Sequence, residues 1–185
     1  MPLTTLDPTP ALVVIDLQRG IVSGAVQHVV PSAAALAKAF RQHDLPVVLV
    51  NVTGRAPGRT EVSYQGGTSA LPPGWADIID ELGPQPGDHL ITKRRRSAFH
   101  DTGLDTLLRD LGVTQVMLAG VATSAGVEST ARSAHDHGYH VVLATDAMTD
   151  QDPGAHRHSL ERVFPRLGET ATSAEIIGFL DRGRS

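Results

Sequence analysis

Cysteine is absent from the 185-residue sequence. That absence excludes disulfides, thiolate metal ligands and any thiol nucleophile. It also fits a reducing compartment, and a cytoplasmic location is expected. Aromatic residues are scarce at 4%, so the interior has to be filled by Val, Leu, Ile and Ala. No apolar run approaches the roughly 20 residues that a membrane helix needs. Met1–Pro10 lacks a basic start followed by an apolar stretch, so no secretory signal is expected either. Positive charge is not in excess. A net charge of −4 argues against nucleic acid or an anionic membrane as the main partner.

What is present suits one soluble domain over residues 1–185. Hydrophobic residues make up 41% and charged residues 19%, the balance of a chain that can bury a proper core. Short β-branched runs alternate with segments of helical period, the pattern of βαβ units and a parallel sheet covered on both faces. Ala11–Asp16, Val47–Asn51, His89–Thr92, Gln115–Gly120 and His140–Thr145 read as strands, with Glu169–Thr172 a short sixth. Pro31–Gln42 reads as a helix that shares Ala34, Leu36, Ala37 and Phe40 on one face. Leu104, Leu107, Leu108 and Leu111 form another apolar stripe, stopped by Gly112. Ser124–His137 follows the fourth strand. Asp152-Pro153 opens a helix to about Phe164, and Ser173 caps the last one. The fold class is therefore α/β, three-layered and doubly wound, with a six-stranded parallel Rossmann-like sheet. Its ligand site should lie beyond the C-terminal ends of the strands.

Thr53–Pro73 breaks the pattern, being rich in Gly, Pro, Ser and Thr and without any period. A stretch of about 20 residues without structure is uncommon inside a compact domain. It reads as a lid, an oligomer-contact loop or a plain surface insertion. Tyr64, Leu71 and Trp75 in or beside it are scarce bulky residues, which favours burial at a contact and hence a homodimer or higher homo-oligomer.

Three segments reach the predicted ligand edge. Asp16 ends the first strand after four apolar residues, where a carboxylate is costly unless paired or solvated. Lys93 follows the third strand and is the obvious partner, although a structural ion pair would look the same. Gly120–Gly126 runs from strand to helix and offers backbone N–H groups to an anion, as every such turn does.

VVIDLQ at 13–18, TKRRRSAF at 92–99 and GVATSAGVESTARSAHDHGY at 120–139 resemble, in order and spacing, the three signature blocks of isochorismatase-like or cysteine hydrolases. The resemblance implies a six-stranded parallel sheet, a cis peptide at Val121–Ala122, and an acid–lysine–cysteine site. Asp16 matches the acid and Lys93 the lysine. Gly126 stands where the cysteine usually is. Gln18, Phe99, Ala122, Thr123 and Ala125 fall inside the blocks as substrate contacts, with Phe99 alternatively a core residue. Glycine supplies no nucleophile, Ser124 and Ser129 should project from other points, and Thr123 has no evident second base. Isochorismatases resemble the chain in carrying glycine there, and they use the aspartate as a general acid on a vinyl ether. The rest of the third block looks more like the amidase side of the group.

Metal and cofactor are not expected. Asn51–Arg55 lacks the histidine of the metal-binding branch, and His156 and His158, two apart on a helix, face different ways. Arg94, Arg95 and Arg96 read as a solvated turn or as a grip on a substrate carboxylate. The expected function is hydrolysis of a small anionic substrate by acid–base chemistry without a thiol, at a C–N bond or a vinyl ether. The alternative is an inactive member that binds a small molecule or a partner.

Overall fold

A computed structural model describes residues 2–61 and 71–183. Six strands form one sheet: β1 (Pro10–Ile15), β2 (Val47–Val52), β3 (His89–Lys93), β4 (Gln115–Val121), β5 (His140–Thr149) and β6 (Glu169–Ala171). Their order is β3-β2-β1-β4-β5-β6, and every neighbouring pair is parallel. The helices are α1 (Val30–Gln42), α2 (Leu104–Asp110), α3 (Glu128–Asp136), α4 (Pro153–His158) and α5 (Ser173–Gly183). The three-layer, doubly wound α/β class expected from the sequence is the one found.

Alternation explains the layers. Leu12 and Val14 of β1 pack with Leu36 and Phe40 of α1 and with Ile176 and Leu180 of α5. Ala11, Val13 and Ile15 turn the other way, onto Leu104 and Leu108 of α2 and Ala131 and Ala134 of α3. Successive side chains point to opposite faces, so a strand apolar at every position must be covered on both. Leu36, Leu104 and Leu108 are wholly buried, and truncating one such leucine to alanine costs about 2–5 kcal/mol.

Gly120 lets β4 approach β1. Its φ is +109°, and a Cβ there would fall 2.0 Å from the carbonyl oxygen of Ile15. Only glycine fits. Asp152 caps α4, its Oδ1 accepting from the amides of Gly154 at 2.7 Å and Ala155 at 3.2 Å.

Several boundaries differ from expectation. On α1 it is Ala33 that is fully buried, with Ala34 only half-buried. Strand β5 runs on to Thr149, because a register irregularity after Leu118 lets it pair again opposite Gly120 and Val121. The helix expected over Ser124–His137 opens as one π-helical turn, Thr123–Val127. The helix after Asp152 changes in the same way at Ser159–Val163. Residues 53–61 are irregular; Tyr64 and the middle of that loop lie outside the described residues. Among the described residues no helix is long and apolar enough to cross a membrane.

Candidate functional site

The chain leaves β1 towards β2 and later returns on the other side to β4. Where the order reverses, the loops beyond β1 and β4 diverge and leave a crevice. Asp16 is the first residue past β1. Its backbone is left-handed, at φ +54°, a conformation that costs a non-glycine residue about 1–2 kcal/mol. Its amide still donates to the carbonyl of Val50 at 2.9 Å, so the turn begins right at the strand end.

Lys93, the last residue of β3, reaches back to Asp16. The Nζ–Oδ2 distance is 2.7 Å, with the side chains 2% and 8% exposed. Nζ also donates to the carbonyl of Arg95 at 3.2 Å. Oδ1 of Asp16 is buried and has no hydrogen-bond partner among the described residues. Burial pushes the Asp16 carboxyl up to about 6, against the opposing charge and hydrogen bond of Lys93. Desolvation therefore outweighs the ion pair, and the group can titrate near neutrality.

Gly126 completes the floor. A Cβ built there would lie 3.3 Å from Oδ2 of Asp16 and 3.1 Å from Cγ2 of Ile15. Any side chain at this position would start beside the carboxylate, and in this chain that place is left to a hydrogen atom. The peptide Val121–Ala122 is cis. Asp16, Lys93, Ala122, Ala125 and Gly126 all line one cavity of about 630 Å³.

Other expected contacts lie elsewhere. Gln18 is fully buried and does not line the cavity. Its side chain accepts from the amide of Val52 at 2.8 Å and donates to the carbonyl oxygens of Val52 and Trp75. Phe99 is also away from the cavity, stacked on His137 with ring centroids 5.1 Å apart and packed against the second core layer. Thr123 is wholly buried, with Oγ1 2.9 Å from Nδ1 of His156. The sequence showed no second base for Thr123; the fold supplies one, from α4. That hydroxyl does not line the cavity, so it is no substitute nucleophile. Burial holds the His156 imidazole below its ordinary range.

The amide cradle expected around Ala125 and Gly126 is reduced, because the Ala125 amide is already taken. Ser124 donates its N–H and its hydroxyl to Asp150 at 2.8 and 2.7 Å. The amides of Ala125 and Val127 both reach the carbonyl of Ala122. The first N–H groups of a helix have no partner within it, and here Asp150 and the Ala122 carbonyl take three of them, the amides of Ser124, Ala125 and Val127. Positive charge at the cavity comes from side chains instead: Arg55, Arg59, Arg95 and Arg96 join Lys93 in its wall. Arg55, Arg59 and the apolar Ile21 and Val52 were missed, because no local period marks a loop that folds over its neighbour. Among the described residues no group of three or more His, Asp or Glu side chains could hold a metal ion.

Comparisons with known proteins bear on the family and the fold. The family model described as Isochorismatase domain matches residues 10–175. The isochorismatase family protein YwoC of Bacillus subtilis is 41% identical over 176 residues, covering 90% of this chain and 92% of its own. An isochorismatase family protein from Burkholderia thailandensis superimposes with a TM-score of 0.84 at 40% identity, covering 96% of this chain and 98% of its own. N-carbamoylsarcosine amidase from Thermoplasma acidophilum gives a TM-score of 0.75 at 30% identity, over 89% of this chain and 96% of its own.

Proposed function

Because the chain belongs to the isochorismatase family, we propose that it is a hydrolase of small anionic molecules that works by acid–base chemistry at Asp16 without a thiol nucleophile. The observation that carries this reading is the buried Asp16–Lys93 pair beside a residue with no side chain. Asp16 titrates at about 6. Below that pH it can give a proton to a substrate atom on the cavity floor; above it, the carboxylate can take one from water. Lys93 holds the carboxylate in place and favours its charged form. Ala122 and Ala125 line the path to it, and Gly126 leaves room for a substrate atom or a water where relatives with cysteine would place sulfur.

Two bond types suit this chemistry. The amidase name of the Thermoplasma relative favours a C–N bond. The glycine at 126 favours a vinyl ether, whose hydrolysis needs a proton and water and no covalent intermediate. The pH profile separates them. An acid role makes turnover fall as pH rises through about 6, and a base role makes it rise. The test is a panel of vinyl ethers, amides and esters offered to wild type and Asp16→Asn. Turnover lost in the variant is expected. Ligand binding without turnover by either protein would support the rival reading, a binding protein whose chemistry left with the nucleophile.

A further inference from the structure

Among the described residues that line the cavity holding Asp16 there are four arginines, and Asp16 supplies the sole carboxylate. Lys93 already matches that carboxylate. The wall is thus left with an excess of positive charge, in a chain whose net charge is −4. Charge of one sign gathered in one concavity draws in solutes of the other. Three of the turn amides are committed inside the fold, and the guanidinium groups are the charged donors that face the cavity.

Arg95 differs from the other three. It is half-buried, whereas Arg55, Arg59 and Arg96 are exposed. Its Nη1 donates to the carbonyl of Arg94 at 3.0 Å and to that of Arg55 at 3.2 Å, joining the two loops that form the rim. Its own carbonyl accepts from Lys93. Among the described residues nothing accepts from its Nε or Nη2, so the edge of the guanidinium that matches two oxygens of an oxyanion keeps its donors. A guanidinium already held by two carbonyls has little rotamer freedom left to lose on binding. In the sequence the same residue is merely the middle one of three arginines.

We infer that Arg95 determines specificity in this cavity by gripping a carboxylate or phosphate group of the substrate with its Nε–Nη2 edge. Ile21, Val52, Ala122 and Ala125 then receive an apolar body, and the reacting atom lies at Asp16. Arg55, Arg59 and Arg96 steer the anion in from solvent. This inference rests on the cavity being the site proposed above.

The test is calorimetric titration of the full chain at fixed ionic strength with benzoate, phenyl phosphate and the neutral benzamide. One or both anions should bind and benzamide should not; the preferred anion identifies which oxyanion the cavity takes. Arg95→Gln and Arg95→Lys should each weaken binding about tenfold or more, because lysine keeps the charge and loses the fork. Arg96→Gln should weaken it about threefold or less, by an amount that fades with added salt. Benzamide binding wild type as tightly as the anions would overturn the inference, as would anion affinity weaker than about 10 mM or an Arg95→Lys variant that binds like wild type. Asp16→Asn, which leaves Lys93 unmatched in the wall, should bind the anions at least as tightly as wild type, and a clear loss of anion affinity would overturn the inference. An anion site that persists while no panel compound is turned over removes the hydrolase reading alone; turnover with anion binding indifferent to Arg95→Lys removes the Arg95 assignment alone.

Discussion

Replacing Lys93 with methionine, which keeps length and removes charge, should change how stability responds to pH. The Asp16 carboxyl stands at about 6 in the fold against 3.8 ordinarily. A group whose pKa is raised by folding binds its proton more tightly folded than unfolded. Its contribution is therefore complete below about pH 4 and is lost as pH rises to about 6. At 1.36 kcal/mol per pH unit the loss amounts to about 3 kcal/mol. Without Lys93, the charge and the hydrogen bond that hold this carboxyl down both disappear. The carboxyl then climbs above 6, and the loss continues into the neutral range at about 1.4 kcal/mol per pH unit. Near pH 5, where Asp16 is mostly protonated, the methionine should be close to neutral or stabilising, since a buried ammonium is expensive. Urea unfolding from pH 4 to 9 can isolate the effect. The stability difference between wild type and Asp16→Asn should level off above pH 6. The difference between Lys93→Met and the double variant should keep growing past it. Two difference curves with one midpoint would refute the reasoning, and so would an Asp16 that adds stability between pH 4 and 6.

Gly126→Cys should place a thiol beside the carboxylate, since the built Cβ stands 3.3 Å from Oδ2 of Asp16. The expected gain is amide hydrolysis abolished by iodoacetamide, and a variant with no such turnover would put the vinyl-ether or binding reading ahead of an amidase-like pocket. Gly120→Ala drives a methyl into the Ile15 carbonyl at a φ of +109° and should cost at least about 3 kcal/mol in chemical unfolding; a loss under about 1 kcal/mol would contradict the close approach of β4 to β1. The chain should form at least a dimer through the region around Leu71, which is 44% exposed. Light scattering after gel filtration checks this, and a mass near 19.6 kDa would end the idea.

Much of the fold was legible because it rests on local periodicity. Leu12 to Ile15, Val47 to Val50 and Val116 to Ala119 are apolar at every position, and an extended strand with that content has to be covered on both faces. The stop at Gly112 and the cap at Asp152 are short-range signals and were equally readable. Boundaries moved where long-range pairing overrode them. Thr149 is in β5 because Val121 lies opposite it, a fact that no window around residue 149 contains.

The site divides along the same line. Asp16, Lys93 and Gly126 could be named in advance, because Asp16 and Lys93 stand at strand ends, Gly126 stands in the turn after β4, and all three fall within runs that resemble the family's signature blocks. Their chemistry could not. The pair spans 77 residues of chain, and only packing makes it dry enough to lift the carboxyl to about 6. Phe99 shares a run with Lys93 yet points into the far core layer, since nearness along the chain does not say which way it bends. Arg55 and Arg95 belong to different loops and meet only because β2 and β3 are neighbours in the sheet. By itself the sequence determined which residues form strands and helices, in what order, and which chemical groups stand at the strand ends, because these follow from short-range patterns. The tertiary structure decided which of those groups share one desolvated cavity and how their protons are held, because burial and charge act across space between residues distant along the chain.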